Sequence, residues 1–461
     1  MFTSTRSRIE ASSAEAILRG LAPDRGLYVP GGDIPRIPMP ADLREAENAA
    51  LAAFFGDIPQ SVRDAAVDRL LSRFPAGDPV PLAGSGAVRF LELFHGPTGA
   101  FKDVALSMLP VLLAHSAAQA GAKRVLVLTA TSGDTGSAAM AGFAGSEGAS
   151  VAVFYPSTGT SRIQRLQMVS RNGPGARAFA VAGDFDDAQS AVKRIFASDA
   201  MRAEAAAAGV TLSSANSINI GRLVPQIAYW LAAGARIGGG FDAAVPSGNF
   251  GDILAAYIAK RMGAPIGTLV CASNENRVLE RFIATGVYDP RPELKVTNSP
   301  SMDIRVSSNV ERLLWMLCGR DPGAVSALLG ALGKDGFYTL PGAAFKALRE
   351  DFACGWATQE ETVAEMRRLR DETGYMADPH TAVASAAARK AGFPSGGRPL
   401  VVAATATPHK FPETCAAAFG EGALPPPPPS VAGLDRFDAA PAAPVAPQDI
   451  EAAVRSLFAA P

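Results

Sequence analysis

Metal-ligand spacing is missing from this chain. Its four histidines (His95, His115, His380, His409) are scattered, and its four cysteines (Cys271, Cys318, Cys354, Cys415) form no CxxC pair. That excludes the common zinc patterns, and widely spread thiols suit burial in a reducing compartment rather than a disulfide framework. Charge imbalance is also missing: 43 Lys and Arg stand against 44 Asp and Glu. No basic block of nucleic-acid type is present. Apolar runs such as Val125 to Leu128 are strand-sized, far below the roughly 20 residues of a membrane span. The first residues, MFTSTRSRIEASSAEA, contain no apolar segment of a secretory signal. Arg6 and Arg8 leave an organelle-targeting reading open, against which Glu10 and Glu15 count. The expectation is a cytoplasmic protein with neither nucleic-acid nor membrane partners.

What is present is a change of pattern along 461 residues, enough for two or three domains. Residues 1–90 predict a mostly helical domain, with helices at Ser13 to Leu18, Ala41 to Phe55 and Val62 to Phe74. From about Arg124 short apolar strands alternate with helices, which predicts α/β architecture with mostly parallel sheets in two lobes. Residues 124–235 form the smaller lobe in this reading; residues 91–123 and 236–424 form the larger one. Residues 425–461 open with five consecutive prolines, Pro425 to Pro429, and end in a helix capped by Asp449. Its apolar stripe, Ile450, Val454, Leu457 and Phe458, is expected to dock back on the body.

Three loops carry the chemistry. HGPTGAFKD, from His95 to Asp103, puts Lys102 at the start of an apolar helix, with Phe101 as an apolar wall. A desolvated lysine has a lowered pKa and forms imines with carbonyl compounds. TSGDTG, from Thr131 to Gly136, offers the hydroxyls of Thr131, Ser132 and Thr135 beside helix-start amides that suit a carboxylate. An ordinary strand-to-helix turn capped by Asp134 is the plainer alternative. PSGNFGD, from Pro246 to Asp252, reads as a phosphate nest: Gly248 and Gly251 let amides turn inward, and Ser247 and Asn249 add polar groups. It lacks the Walker lysine and the dinucleotide glycine spacing, which leaves a compact phosphomonoester as its occupant. Together the loops point to pyridoxal phosphate.

These motifs, with ATATPHKFPE (Ala404 to Glu413), resemble the pattern of threonine synthase, in the fold-type II group of pyridoxal-phosphate enzymes. LAPDRGLYVP, RIQRLQMV, NSINIGR and SMDIRVSSNVER follow in the family's order, so the resemblance runs from about residue 3 to 420. It implies that Lys102 carries pyridoxal 5'-phosphate as a Schiff base beside Phe101. Ser247, Gly248, Asn249, Phe250 and Gly251 would wrap the cofactor phosphate, and Thr405 would face the ring nitrogen. Thr131, Ser132, Asp134 and Thr135 would lie in the loop that grips the substrate carboxylate. The implied reaction converts O-phospho-L-homoserine and water into L-threonine and phosphate. Arg162, Ser308, Asn309 and Lys410 are the candidates for the substrate phosphate. The long family form implies a monomer, with a weak homodimer left open.

The chain departs from the family pattern at Thr407, where histidine is usual, and at Ser307 and Val310, where proline and phenylalanine are common. These departures bear on substrate choice more than on the cofactor. Two rivals therefore stand beside the main expectation: a phospho-lyase that releases a keto acid, and a cofactor-binding homologue without catalysis.

Overall fold

Apolar runs without polar alternation become central strands covered on both faces. In the computed structural model, which describes residues 1–458 apart from Ala76, Gly159 and residues 439–442, they build two sheets. The smaller sheet is wholly parallel, ordered Ala176–Val181, Ala149–Pro156, Arg124–Ala130, Val210–Ser214. The larger is ordered Phe352–Trp356, Ile266–Ser273, Phe241–Pro246, Leu400–Ala404, Val88–Glu92, Leu82–Ala83, and only its last pair is antiparallel. Two lobes of mostly parallel sheet, with helices over them, match the sequence expectation.

The expected N-terminal helices form as Ser13–Arg19, Leu43–Phe54 and Gln60–Ser72. Two features differ. Glu10–Ala11, Phe2–Ser4 and Tyr28–Pro30 make a small antiparallel sheet whose strands are too short to show as alternation. A domain boundary at residue 90 also cuts the strand Val88–Glu92, which pairs along Leu400–Ala404 and so belongs to the large sheet. Its partner lies far downstream, and no local pattern announces that pairing.

The helix Lys102–Gln119 is apolar on nearly every side because it is enclosed on nearly every side. Expected with the large lobe, it packs against the small-lobe helix Asp134–Phe143, the N-terminal helices Ser13–Arg19 and Gln60–Ser72, and Ile220–Ile237. Gly142 permits the closest of these approaches: a Cβ there would stand 2.2 Å from the Leu106 carbonyl oxygen. Lys102 therefore begins a helix held between the small lobe and the N-terminal helices, not in the large lobe as expected.

The final helix, Ile450–Ser456, docks as expected. Ile450, Val454 and Phe458 join Leu126, Leu128, Val192 and Ile195 in the small-lobe core. Asp449 does not cap it, because its backbone is already near-helical (φ −94°, ψ −2°) and its side chain makes no cap bond. Ile450 is fully buried. Ile450→Ala should lower stability by about 2–4 kcal/mol, read as a drop in the urea midpoint; an unchanged midpoint would show that the helix adds nothing to the core.

Candidate active site

Three chain reversals meet where the strands of both lobes end at their carboxyl termini, the usual position for ligands in open parallel sheets. The lysine loop is stitched to the late motif by Phe101 N–H to the Thr405 carbonyl (2.9 Å) and Thr407 N–H to the Gly99 carbonyl (3.0 Å). Asp103 folds back within the loop, accepting from Thr98 N–H at 2.8 Å and the Thr98 hydroxyl at 2.7 Å. That leaves Lys102 as the free amine of the motif. Its Nζ lies 4.5 Å from the Phe101 ring centre and 3.5 Å from Asp134 Oδ2.

Asp134 is the hub. Its Oδ1 accepts from Lys410 Nζ at 2.6 Å and Gln164 Nε2 at 2.8 Å, and its Oδ2 accepts from Ser301 Oγ at 3.2 Å. Burial alone would lift this carboxyl, but the charges of Lys410 and Lys102 reverse that and hold it well below the usual carboxylate range. At Lys102 burial dominates and lowers the pKa, with Asp134 opposing and Lys410 and Arg222 assisting. A lowered pKa makes the neutral, nucleophilic amine accessible.

This pairing redistributes the expected roles within TSGDTG. Asp134 spends its charge on two lysines and cannot attract a carboxylate. Thr131 Oγ1 accepts from the N–H groups of Gly133 and Gly136, both at 3.0 Å, so it shapes the loop. Ser132 and Thr135 stay partly exposed, and their hydroxyls make no protein hydrogen bond among the described residues. They and the helix-start amides are the part of the loop open to an anion.

In PSGNFGD, Phe250 takes the left-handed conformation (φ 61°) just before the helix Gly251–Met262. The N–H groups of residues 248–251 have no acceptor among the described residues, as expected of a helix start that holds an anion. Gly248 is needed for space: a Cβ there would meet the Ser301 carbonyl oxygen at 2.6 Å. Asn309 braces the loop, with its N–H and Nδ2 both donating to the Asn249 carbonyl at 3.1 Å. Ser307 Oγ donates to the Gly248 carbonyl at 2.5 Å and its N–H donates to the Tyr288 hydroxyl at 2.7 Å. A proline there could do neither. Ser247 is turned to the Val245 carbonyl, and Thr405 is buried at the end of its strand.

The four substrate-phosphate candidates separate. Arg162 does not enter the site: its guanidinium is half exposed and paired with Asp435 and Asp438. Helix Arg162–Val169 reaches inward through Gln164 instead. Lys410 is fully buried and committed to Asp134 and the Thr98 carbonyl. Asn309 braces the nest, and Ser308 Oγ lies 3.2 Å from Ser217 Oγ and 3.3 Å from Asn249 Oδ1. Arg222, inside NSINIGR, is the cation that sequence reasoning passed over. It is 2 % exposed, has no carboxylate partner among the described residues, gives Nη1 to the Ala215 carbonyl, and leaves Nε without an acceptor. Burial pushes its pKa down to about 10. The adjoining residues reach both other loops: Asn216 Nδ2 donates to the Ala130 carbonyl, and the Ser217 carbonyl accepts from Asn309. An arginine in the first turn of an otherwise apolar helix was the available signal.

Two cavities of about 640 and 750 Å³ are not lined by Lys102, although the second borders the lysine loop at His95, Gly96 and Pro97 and the late motif at Thr407; convergence of charged groups is the guide to the site.

A family model described as "Pyridoxal-phosphate dependent enzyme" matches residues 83–355. Together with the two-lobed fold, that defines a fold-type II pyridoxal-phosphate-dependent enzyme. "Threonine synthase N terminus" matches residues 1–55 and "Threonine synthase, C-terminal" residues 381–453. The structure of PLP-bound threonine synthase from Brucella melitensis is 36% identical with a TM-score of 0.90, covering 100% of this chain and 99% of that one. Threonine synthase of Pseudomonas aeruginosa is 37% identical over 428 residues, 89% of each protein. Threonine synthase-like 1 of Pongo abelii is 37% identical over 424 residues, which is 86% of this chain but 56% of that protein. The chain thus spans little more than half the length of that relative. This chain belongs to the threonine synthase family.

The residues present fit pyridoxal phosphate: an amide nest packed too tightly at Gly248 for any side chain, and an enclosed lysine with a lowered pKa. Lys102 would hold its aldehyde carbon, and residues 247–251 its phosphate. Gly248→Ala should weaken pyridoxal-phosphate binding about fivefold or more, because overpacking costs about 1–3 kcal/mol; fluorescence titration of the cofactor would measure it, and undiminished affinity would remove the nest from the site.

Asp252, at the start of the same helix, accepts from Tyr229 Oη (2.7 Å) and Trp230 Nε1 (2.8 Å), while its Oδ2 is buried without a partner. Burial pushes its pKa from 3.8 up to about 6. Between those values the folded protein keeps a proton that the unfolded chain has released, so this group makes stability fall as pH rises through that window. Asp252→Asn keeps the acceptor and cannot ionise. It should flatten the slope and raise stability at pH 7 by up to about 3 kcal/mol, checked by urea unfolding at several pH values.

Proposed function

We propose that the protein is a threonine synthase, taking O-phospho-L-homoserine and water to L-threonine and phosphate. The observation that carries this reading is Arg222: a buried guanidinium with no carboxylate counterion among the described residues, near Lys102 and between two loops whose free amides suit anions. Uncompensated buried positive charge is costly, and a substrate phosphate would offset it. The substrate carboxylate would be held by Ser132, Thr135 and the amides of their loop, on the opposite lobe from residues 247–251.

Pyridoxal phosphate, when bound through Lys102, supplies the electron sink that acidifies protons beside the substrate's amino carbon. The protein must then take protons from Cα and from Cβ so that phosphate can leave Cγ, deliver a proton to Cγ, admit water at Cβ, and return a proton to Cα. Lys410 is fixed on Asp134, so Lys102 is the amine proposed to carry these protons. Asp134 keeps that amine oriented, and Lys410 keeps the carboxylate from holding Lys102 permanently charged. Thr405 is the hydroxyl proposed to face the cofactor ring nitrogen. Carboxylate binding on one lobe and cofactor binding on the other would draw the lobes together and restrict water.

The test compares kcat/KM for O-phosphohomoserine, O-acetylhomoserine and homoserine, with product identification. L-Threonine should be the main product, with strong preference for the phosphoester. Arg222→Ala should reduce that preference tens- to thousands-fold, the equivalent of about 2–5 kcal/mol for a buried charged partner, whereas Arg162→Ala should leave it in place. Lys102→Ala should abolish turnover and borohydride labelling of the Lys102 peptide. Equal use of all three substrates would overturn the phosphate assignment, and 2-oxobutyrate as the main product would favour a phospho-lyase.

A further inference from the structure

The turn Pro300–Met302 makes a connection between the lobes that the reaction itself does not explain. Ser301 Oγ donates to Asp134 Oδ2 at 3.2 Å, joining the turn to the small-lobe loop. The Ser301 carbonyl lies flush against Gly248 of the phosphate nest. The Ser301 N–H donates to His380 Nε2 at 3.2 Å. A nitrogen that accepts carries no proton, so the ring proton lies on Nδ1, which faces Asp378 Oδ1 at 2.8 Å. Asp378 caps the helix Pro379–Lys390 and is itself fixed by the N–H of His380 and the hydroxyl of Thr381. Phe411 covers the imidazole at 4.9 Å between ring centres. From the other side, Asn274 Nδ2 holds the turn through Ser299 Oγ (3.0 Å) and Asp303 Oδ1 (2.8 Å).

We propose that Asp378 and His380 are positioning residues, which hold Ser301 so that its hydroxyl sets how strongly Asp134 holds positive charge on Lys102. The proposal rests on Lys102 carrying the cofactor. Around Lys102 stand Asp134, Lys410, Arg222 and Asp252; around Asp134, Lys102 and Lys410; around His380, Asp378 and Asp303. Two hydrogen bonds lead from His380 through Ser301 to Asp134, so a change at the imidazole is felt at Lys102 by way of the serine. A carboxylate that loses a hydrogen-bond donor attracts a neighbouring cation more strongly.

The experiment titrates the visible absorbance of the holoenzyme against pH. Ser301→Ala should raise the midpoint by about half a unit to one unit, the effect of one hydrogen bond on one protonation state. His380→Phe should raise it similarly, while His380→Gln, whose Oε1 still accepts, should return it toward wild type. The double variant Ser301→Ala/His380→Phe should move no further than Ser301→Ala alone, because both act through one link. An unchanged midpoint in Ser301→Ala, or fully additive shifts in the double variant, would overturn the proposal. If His380→Phe does not fold, Ser301→Ala and His380→Gln still decide. A wild-type protein with cofactor added but no visible band would instead overturn the Lys102 reading, and this inference with it.

Discussion

Burial of the Asp134 carboxylate between two lysines is the interaction on which the rest of the site depends. A lone carboxylate in that position would cost several kcal/mol, and two ammonium groups with donors from Gln164 and Ser301 offset it. The two lysines are not equivalent. Lys410 is wholly enclosed and also bound to the Thr98 carbonyl, so it acts as a fixed counterion. Lys102 is left with a partial claim on a carboxylate already neutralised, and burial then lowers its pKa. One acid and two bases thus make a single base reactive.

The same hub explains why the lobes must be arranged as they are. Lys102 starts a helix packed between the small lobe and the N-terminal helices, Asp134 starts a small-lobe helix, and Ser301 approaches from the large lobe. The amide nest lies against the same serine. Asp134 is thus held by groups from both lobes at once.

The N-terminal region takes part in this although it supplies no reacting group. Arg6 pairs with Glu311 at 2.7 Å, and Arg312 Nε donates to the Tyr28 carbonyl at 2.9 Å. Arg312 also donates to Asn309, the residue that braces the nest. Fully enclosed, with its pKa pushed down to about 9 by burial, Arg312 links the small N-terminal sheet to the amide nest at residues 248–251 through Asn309. The opening strands therefore act as a buttress. They escaped sequence reading because strands of two or three residues carry no usable period.

The architecture and the loops that converge on Lys102 were legible in the sequence because they depend on local rules: buried strands read as apolar runs, nests as glycines at fixed offsets, and Lys102 as an amine at the mouth of an apolar helix. Partner choice was not legible. Arg162 and Gln164 are two positions apart on one helix, and only the fold turns the amide inward and leaves the guanidinium to Asp435 and Asp438. Lys410 and Arg222 are both buried cations, yet among the described residues one has a carboxylate and the other has none. His380 and Ser301 are far apart in the chain and meet because the turn Pro300–Met302 packs on the start of the helix Pro379–Lys390. By itself the sequence determined which segments would carry the chemistry, since backbone conformation and burial are set over a few neighbouring residues. Tertiary structure alone decided which charges would neutralise one another, since electrostatic pairing in a low-dielectric interior depends on distances that no spacing along the chain encodes.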